Sequence, residues 1–255
     1  MDKALRCLTI YLAWVLATIP ASPQSILMPI MQGQSSASIA DCHSSISSVI
    51  SSYWAGSYSA SPITTNWPDT NGGANSLSPT GSPTWANNTF GTGLAGITFD
   101  GSTQSFAMTT ATIPSISSSS LSVYAMVKIP STGPTGYIFG SHNGGATNSY
   151  SLVFNGTGIE YDQQGMVALC TATYTFNAST IYEIAANYNG STCTIYVNGS
   201  SVVSSASSHG AIGGADRVAA VNSPSFKGSM YELLFSSNGT YQSGAHTCWT
   251  GYGLP

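Results

Sequence analysis

Charge is the scarcest property of this sequence. Only 5% of its 255 residues are Asp, Glu, Lys or Arg, and Lys and Arg together number five. A surface that neutralises several phosphates cannot be assembled from so few cations, which excludes a dedicated nucleic-acid binder. Metal and redox motifs are missing as well. No Cys-x-x-Cys pair occurs, so neither a zinc ribbon nor a thioredoxin-type site is encoded. A Gly-x-Ser-x-Gly nucleophile elbow is also absent. His43, His142, His209 and His246 stand in Ser- or Gly-rich surroundings without a triad context, the usual setting of solvated loop histidines. The apolar run over residues 8–20 falls short of the ~20 residues that span a bilayer. No internal repeat and no long helical pattern is present.

What remains is apolar content and turn punctuation. Hydrophobic residues make up 42% of the chain, too much for a disordered polymer and enough for a packed core. Leu121, Val123, Ala125 and Val127 alternate with Ser122, Tyr124, Met126 and Lys128, the period of a strand with one face on a core. Asp100-Gly101 between the runs 94–99 and 104–109 predicts a hairpin, because Gly accepts the positive φ of a tight turn. Further short runs fall at 137–141, 150–154, 158–161, 166–173, 181–188, 192–198, 201–204, 217–221 and 229–236. Gly, Asn and Pro pairs such as Gly133-Pro134, Asn189-Gly190 and Asn198-Gly199 separate many of them. Strands recurring about every ten residues predict an all-β, two-sheet antiparallel β-sandwich.

The N-terminus reads differently. Lys3 and Arg6 precede the apolar run, and Ala21-Ser22-Pro23 follows it, the layout of a secretory signal. Residues 1–22 are therefore expected to be a signal peptide or an N-terminal hydrophobic anchor. Residues 23–52 form a Ser-rich leader with one short helix, where Ile39, Cys42, Ile46, Val49 and Tyr53 fall at helical spacing. Residues 53–255 form the sandwich. Removal of Cys7 with a signal leaves Cys42, Cys170, Cys193 and Cys248, an even number that permits three pairings. Cys170 with Cys193, and Cys42 with Cys248, are the disulfide candidates, and such bonds imply an oxidising compartment.

Four motifs carry a family resemblance: Phe99-Asp100-Gly101-Ser102, the strand over 121–129, Cys193-Thr-Ile-Tyr-Val-Asn-Gly199, and Phe226-Lys-Gly-Ser-Met-Tyr-Glu-Leu-Leu-Phe235. Their order and spacing resemble laminin-G-like domains of the concanavalin A-like lectin/glucanase superfamily. Tyr53-Trp54, Trp67-Pro68-Asp69 and Ser82-Pro-Thr-Trp85 look like the leading strand and loop of its bacterial and phage versions. The resemblance covers residues 53–237. It implies a concanavalin A-like jelly roll with glycan binding, and a structural role for Phe226, Lys227, Gly228 and Glu232.

Glu160-Tyr161-Asp162 is the first place to look for catalysis, since alternate strand residues share a face and glycosidases use paired carboxylates. Laminarinase-type relatives carry a second Glu shortly after Glu-x-Asp. Here Gln163, Gln164 and Gly165 follow, leaving that position unfilled. Glycan binding suits the residue supply better, because it needs aromatic faces and neutral polar groups rather than charge. Trp67, Trp85, Tyr161, Tyr188 and Trp249 are candidate platforms. His142, Asn143, Asn148, Asp162, Gln163 and Asn189 are candidate polar contacts. No cofactor is required. If calcium is held, Asp69 with Asn71, or Asp162 with Asp216, would supply the oxygens. The expectation is a non-enzymatic, lectin-like domain, secreted or surface-displayed, that recognises a glycan or glycosylated surface. The alternative is a structural or adhesion component of a virion or cell surface, working as an oligomer or assembly. Glycoside hydrolysis ranks third.

Overall fold

The computed structural model of the protein describes residues 52–55, 61–69, 76–91, 93–108, 120–142, 150–163, 167–208, 215–218, 225–236, 238–251 and 253–254. Contacts divide the chain into Met1–Ser35 and Ser36–Pro255, and every described residue belongs to the second unit. Residues 23–51 of the leader, including Cys42, lie outside the described residues. No helix among those residues is long and apolar enough to cross a membrane.

Two antiparallel sheets form a sandwich. Sheet A holds β1 (Ser52–Ala55), β3 (Thr84–Ala86), β4 (Gly96–Asp100), β6 (Leu121–Lys128), β11 (Ile181–Tyr188), β12 (Thr192–Val197), β13 (Ser200–Ala206) and β15 (Lys227–Ser236). Their order is β13-β12-β11-β6-β15-β4-β3, with β1 pairing along the second half of β15. Sheet B holds β2 (Leu77–Thr80), β5 (Ser105–Met108), β7 (Thr135–His142), β8 (Tyr150–Asn155), β9 (Gly158–Gln163), β10 (Val167–Thr173) and β14 (Ala215–Val218), in the order β10-β9-β8-β7-β14-β5-β2. Tyr53, expected to close a helix, lies in strand β1 instead.

The core forms where the inward residues of both sheets meet. Leu121, Val123, Ala125 and Val127 of β6 and Leu233 and Phe235 of β15 pack against Phe139, Leu152, Phe154, Ile159 and Tyr161 of sheet B. Phe139 and Phe235 bring their ring centroids to 4.2 Å across the sandwich. Cys170 of β10 is disulfide-bonded to Cys193 of β12, tying an edge of sheet B to sheet A as expected. Cys248 is disulfide-bonded too.

Two expectations need correction. β6 is buried on both faces, although its alternation predicts one wet side. Tyr124 and Met126, with Ala185, Tyr231 and Leu234, lie under a C-terminal helix, α1 (Ser243–Gly251), whose Ala245 and Trp249 complete a second apolar cluster. The Asp100-Gly101 turn is not a hairpin, because β4 pairs with β15 and β3 whereas β5 pairs with β14 and β2. It is an arch from one sheet to the other. The Asp100 carboxylate holds it by accepting the backbone N–H groups of Ser102, Thr103 and Gln104 at 2.8, 3.1 and 3.2 Å, and Gly101 takes φ 81°.

Candidate functional site

Strand β9 alternates between the core and the outer face of sheet B. Ile159 and Tyr161 point into the core, so Glu160 and Asp162 share the opposite face, two residues apart or about 6.7 Å along the strand. Strand register extends that face. Asp162 is opposite Ser151 of β8, Ser151 opposite Gly140 of β7, Gly140 opposite Arg217 of β14, and Arg217 opposite Ala107 of β5. Glu160 is opposite Val153 on one side and Thr171 of β10 on the other.

Asp162 is the strained member of this row. It is only 2% exposed, and its Oδ1 has no hydrogen-bond partner. Burial, reinforced by the negative charge of Glu160, pushes its carboxyl up to about 7 against the pull of a hydrogen bond with Ser151. Glu160 is half-buried and accepts a hydrogen bond from Asn155 Nδ2 at 3.1 Å, while Asn155 Oδ1 accepts from the Thr157 N–H at 3.1 Å. A carboxyl that still carries its proton near neutrality, beside a second acid, can donate and accept hydrogen bonds at a ligand. Next to Asp162 on this face, Ser151 and Gly140 are small and buried.

A second polar group lies on sheet A beneath the C-terminal segment. Glu183, fully buried on β11, accepts from Tyr241 OH at 2.9 Å and pairs with His246 Nδ1 at 2.5 Å. Trp249 Nε1 donates to buried Glu232 at 2.8 Å. Asn187 Nδ2 donates to Ser122 Oγ at 2.6 Å, which in turn donates to the Asn238 carbonyl at 2.6 Å. Apart from the Asn187–Ser122 bond, which lies within sheet A, these bonds hold α1 or the strap before it to the sheet, so the cluster reads as an attachment. His246 is therefore not the solvated loop histidine expected of it.

The remaining candidates scatter. Trp67, Tyr161 and Tyr188 are 0%, 1% and 2% exposed in the main core, and Trp249, on α1, is fully buried in the second cluster. None of these rings has a free face for a sugar, because sandwich aromatics are what fill the space between sheets. Trp85 is half-buried on the terminal strand β3, its Nε1 enclosed without a hydrogen-bond partner. Asn189 is exposed, but its Oδ1 is spent on the β11–β12 turn, accepting from Ser191 and Thr192 N–H at 3.1 and 2.9 Å. His142 and Gln163 end β7 and β9 on neighbouring parts of sheet B, so register brings them to the same end as Asp162. Asn143, Asn148 and Asn71 lie outside the described residues. Asp69 is nearly buried beside Trp67. Asp216 lies on β14, three strands from Asp162 on β9, and its side chain lies outside the described ones. Among the described residues no group of three or more His, Cys, Asp or Glu side chains could hold a metal. Sequence reasoning missed Ser151 and Gly140; only the pairing of distant strands aligns them with Asp162.

Two packed antiparallel sheets with this order define a jelly-roll sandwich, and the comparisons agree. Residues 100–242 match the laminin G family model described as the concanavalin A-like lectin/glucanases superfamily. The match covers more than half of the chain, and the protein belongs to that superfamily. Domain 4 of the extracellular GH43 arabinanase AbnA from Geobacillus stearothermophilus, solved with arabinotriose, superposes with TM-score 0.58 at 14% identity, covering 78% of this chain and 98% of that one. The binding domain of Paraclostridial mosquitocidal protein 1 gives 0.62 at 9% identity, over 81% and 53%. The botulinum neurotoxin serotype D ligand binding domain, in complex with N-acetylneuraminic acid, gives 0.56 at 12% identity, over 82% and 52%. At such identities the likeness concerns the fold alone, and this chain spans about half the length of the two toxin domains. No curated protein matches it in sequence.

Proposed function

We propose that the protein is a non-enzymatic, lectin-like carbohydrate-binding domain whose ligand lies on the outer face of sheet B. The observation that carries this reading is Asp162, a buried carboxyl with an oxygen that has no partner inside the protein. Leaving such a group unsatisfied costs about 1–3 kcal/mol, a cost that a ligand hydroxyl would relieve. Glu160, Asn155 and Thr171 add polar groups along the same face. Neighbours in fold supply support of a coarser kind, since their solved complexes include arabinotriose and N-acetylneuraminic acid. Binding is favoured over hydrolysis because Gln163, Gln164 and Gly165 leave the second Glu of the laminarinase-type pattern unfilled. The Cys170–Cys193 disulfide fits a secreted or surface-displayed protein.

A glycan array probed with the intact protein, followed by calorimetry on the best ligand, tests the proposal. Asp162→Ala should weaken binding by about 10- to 100-fold, the equivalent of one hydrogen bond to a charged or strongly polar group. Retention of no glycan, or an unchanged affinity in both Asp162→Ala and Glu160→Ala, would contradict it. Release of reducing ends from an oligosaccharide would replace binding by hydrolysis.

A further inference from the structure

We infer that the glycan received on sheet B is uncharged, its adjacent hydroxyls held by the Glu160 carboxylate and the Thr171 hydroxyl at the open end of the outer face, beside the Tyr137 ring. The inference rests on the reading of this face as the glycan site, and it adds the class of sugar and the side chains that select it.

The outer face opens towards the β8–β9 turn. Around Asp162 it is closed, but Thr171 and Thr173 of β10 are exposed, and Tyr137, Asn155 and Glu160 are half-buried. Glu160 is opposite Thr171 on one side and Val153 on the other, and Val153 is opposite Tyr137 of β7. Tyr137, Val153, Glu160 and Thr171 thus form one rank across four strands, about 14 Å from end to end. Val153 is 5% exposed, so a ligand rests on the side chains either side of it and not on the strand. Thr173, two residues beyond Thr171 on the same face, adds a second exposed hydroxyl.

Glu160 is aimed before any ligand arrives. Asn155 Oδ1 accepts the Thr157 N–H at 3.1 Å and the Thr157 hydroxyl at 3.2 Å, which fixes the amide plane, and Asn155 Nδ2 then donates to Glu160 Oε2 at 3.1 Å. A carboxylate has about four acceptor sites, so this one bond leaves Oε1 and part of Oε2 for ligand hydroxyls. Because the carboxylate is already held, little ordering is lost when a sugar binds.

The charge inventory selects the ligand. From residue 129 to 216 the sequence has no Lys or Arg, so strands β7, β8, β9 and β10 carry Glu160 and Asp162 with neither cation among them. A carboxylate or sulfate on the sugar would meet the Glu160 charge in a half-buried setting, where like charges repel more strongly than in water. Neutral hydroxyls instead donate charge-assisted hydrogen bonds to it, which are about twice as strong as neutral ones. Thr171, one strand away, donates and accepts through its hydroxyl. Tyr137 belongs to neither apolar cluster of the core, and its ring supplies the apolar body against which a sugar's C–H surface packs.

The test probes the full chain on an array of neutral and acidic glycans, then by calorimetry on two matched pairs, a galacturonate trimer with its methyl ester and sialyllactose with lactose. Array binders should be uncharged, and in each pair that binds the neutral member should be at least about fivefold tighter. Glu160→Gln should weaken neutral glycans by about tenfold and narrow the gap to the acids. Asn155→Ala should weaken neutral glycans yet keep the gap, since the charge stays. Tyr137→Phe should bind as the wild type does and Tyr137→Ala more weakly. Acidic glycans bound as tightly as neutral ones, or a gap untouched by Glu160→Gln, would overturn the inference. If acidic glycans bind best and Asp162→Ala weakens them, the lectin reading stands while this one fails. If no glycan binds, both fail. Should a variant not fold, by circular dichroism and thermal unfolding, the neutral-against-acid comparison on the wild type decides alone.

Discussion

Removing Glu183 should loosen the C-terminal segment from sheet A. Its carboxylate, fully buried, receives Tyr241 OH at 2.9 Å and His246 Nδ1 at 2.5 Å. Truncating one partner of a buried pair costs about 3–5 kcal/mol, because the other is left uncompensated. The His246 side chain is 32% exposed, so water rescues part of that loss, and Glu183→Ala should cost about 2–3 kcal/mol. For a domain of this size that is about 5–10 °C in Tm. Scanning calorimetry reads the total, and amide exchange over α1 (Ser243–Gly251) should show where it falls. Titration gives a second reading. Burial raises the Glu183 carboxyl above its ordinary value, while His246 and Tyr241 pull it back. The folded chain therefore keeps a proton that the unfolded chain has released. Relative to Glu183→Gln, the wild type should gain stability as pH falls towards 4.5 and lose it as pH rises. A change below about 0.5 kcal/mol, unaltered exchange in α1, or the opposite pH trend would refute the reasoning.

Cys170→Ser opens a disulfide spanning 23 residues and should cost about 3 kcal/mol in urea unfolding under non-reducing conditions. Trp67→Ala should cost about 3–5 kcal/mol, yet leave glycan affinity unchanged below its Tm, since the ring packs at 5.6 Å on Phe106 in the core. Asp100, held well below the usual carboxylate range by the Ser102, Gln104 and Thr103 N–H groups, should contribute stability above pH 4 that fades in acid. The gap between wild type and Asp100→Ala, followed by thermal melts, should narrow as pH drops from 5 to 2.

Local patterns carried the sandwich well. Strand β6 was legible because Leu121, Val123, Ala125 and Val127 alternate along it, and β11 because it is an apolar-rich run of eight residues. Strands β2 and β3 were not, being four and three residues long at sheet ends, with Pro79 inside the first. Helix α1 escaped because its buried residues, Ala245, Cys248 and Trp249, are spread among Ser, Gly and Thr. That one omission also made the outward side chains of β6 look solvent-facing. At the candidate site, Glu160 and Asp162 are visible together because side chains alternate along a strand. The alignment of Asp162 with Ser151 and Gly140 comes from the pairing of β9 with β8 and β8 with β7. Such register depends on contacts between distant segments and leaves no mark in any short window.

The account depends most on where a glycan binds. A crystal structure of the intact protein with its best array ligand would locate it directly. The account predicts sugar on the outer face of sheet B, within hydrogen-bonding distance of Asp162 or Glu160. Sugar at the β11–β12 turn beside Asn189, or against Trp85 on β3, would contradict it.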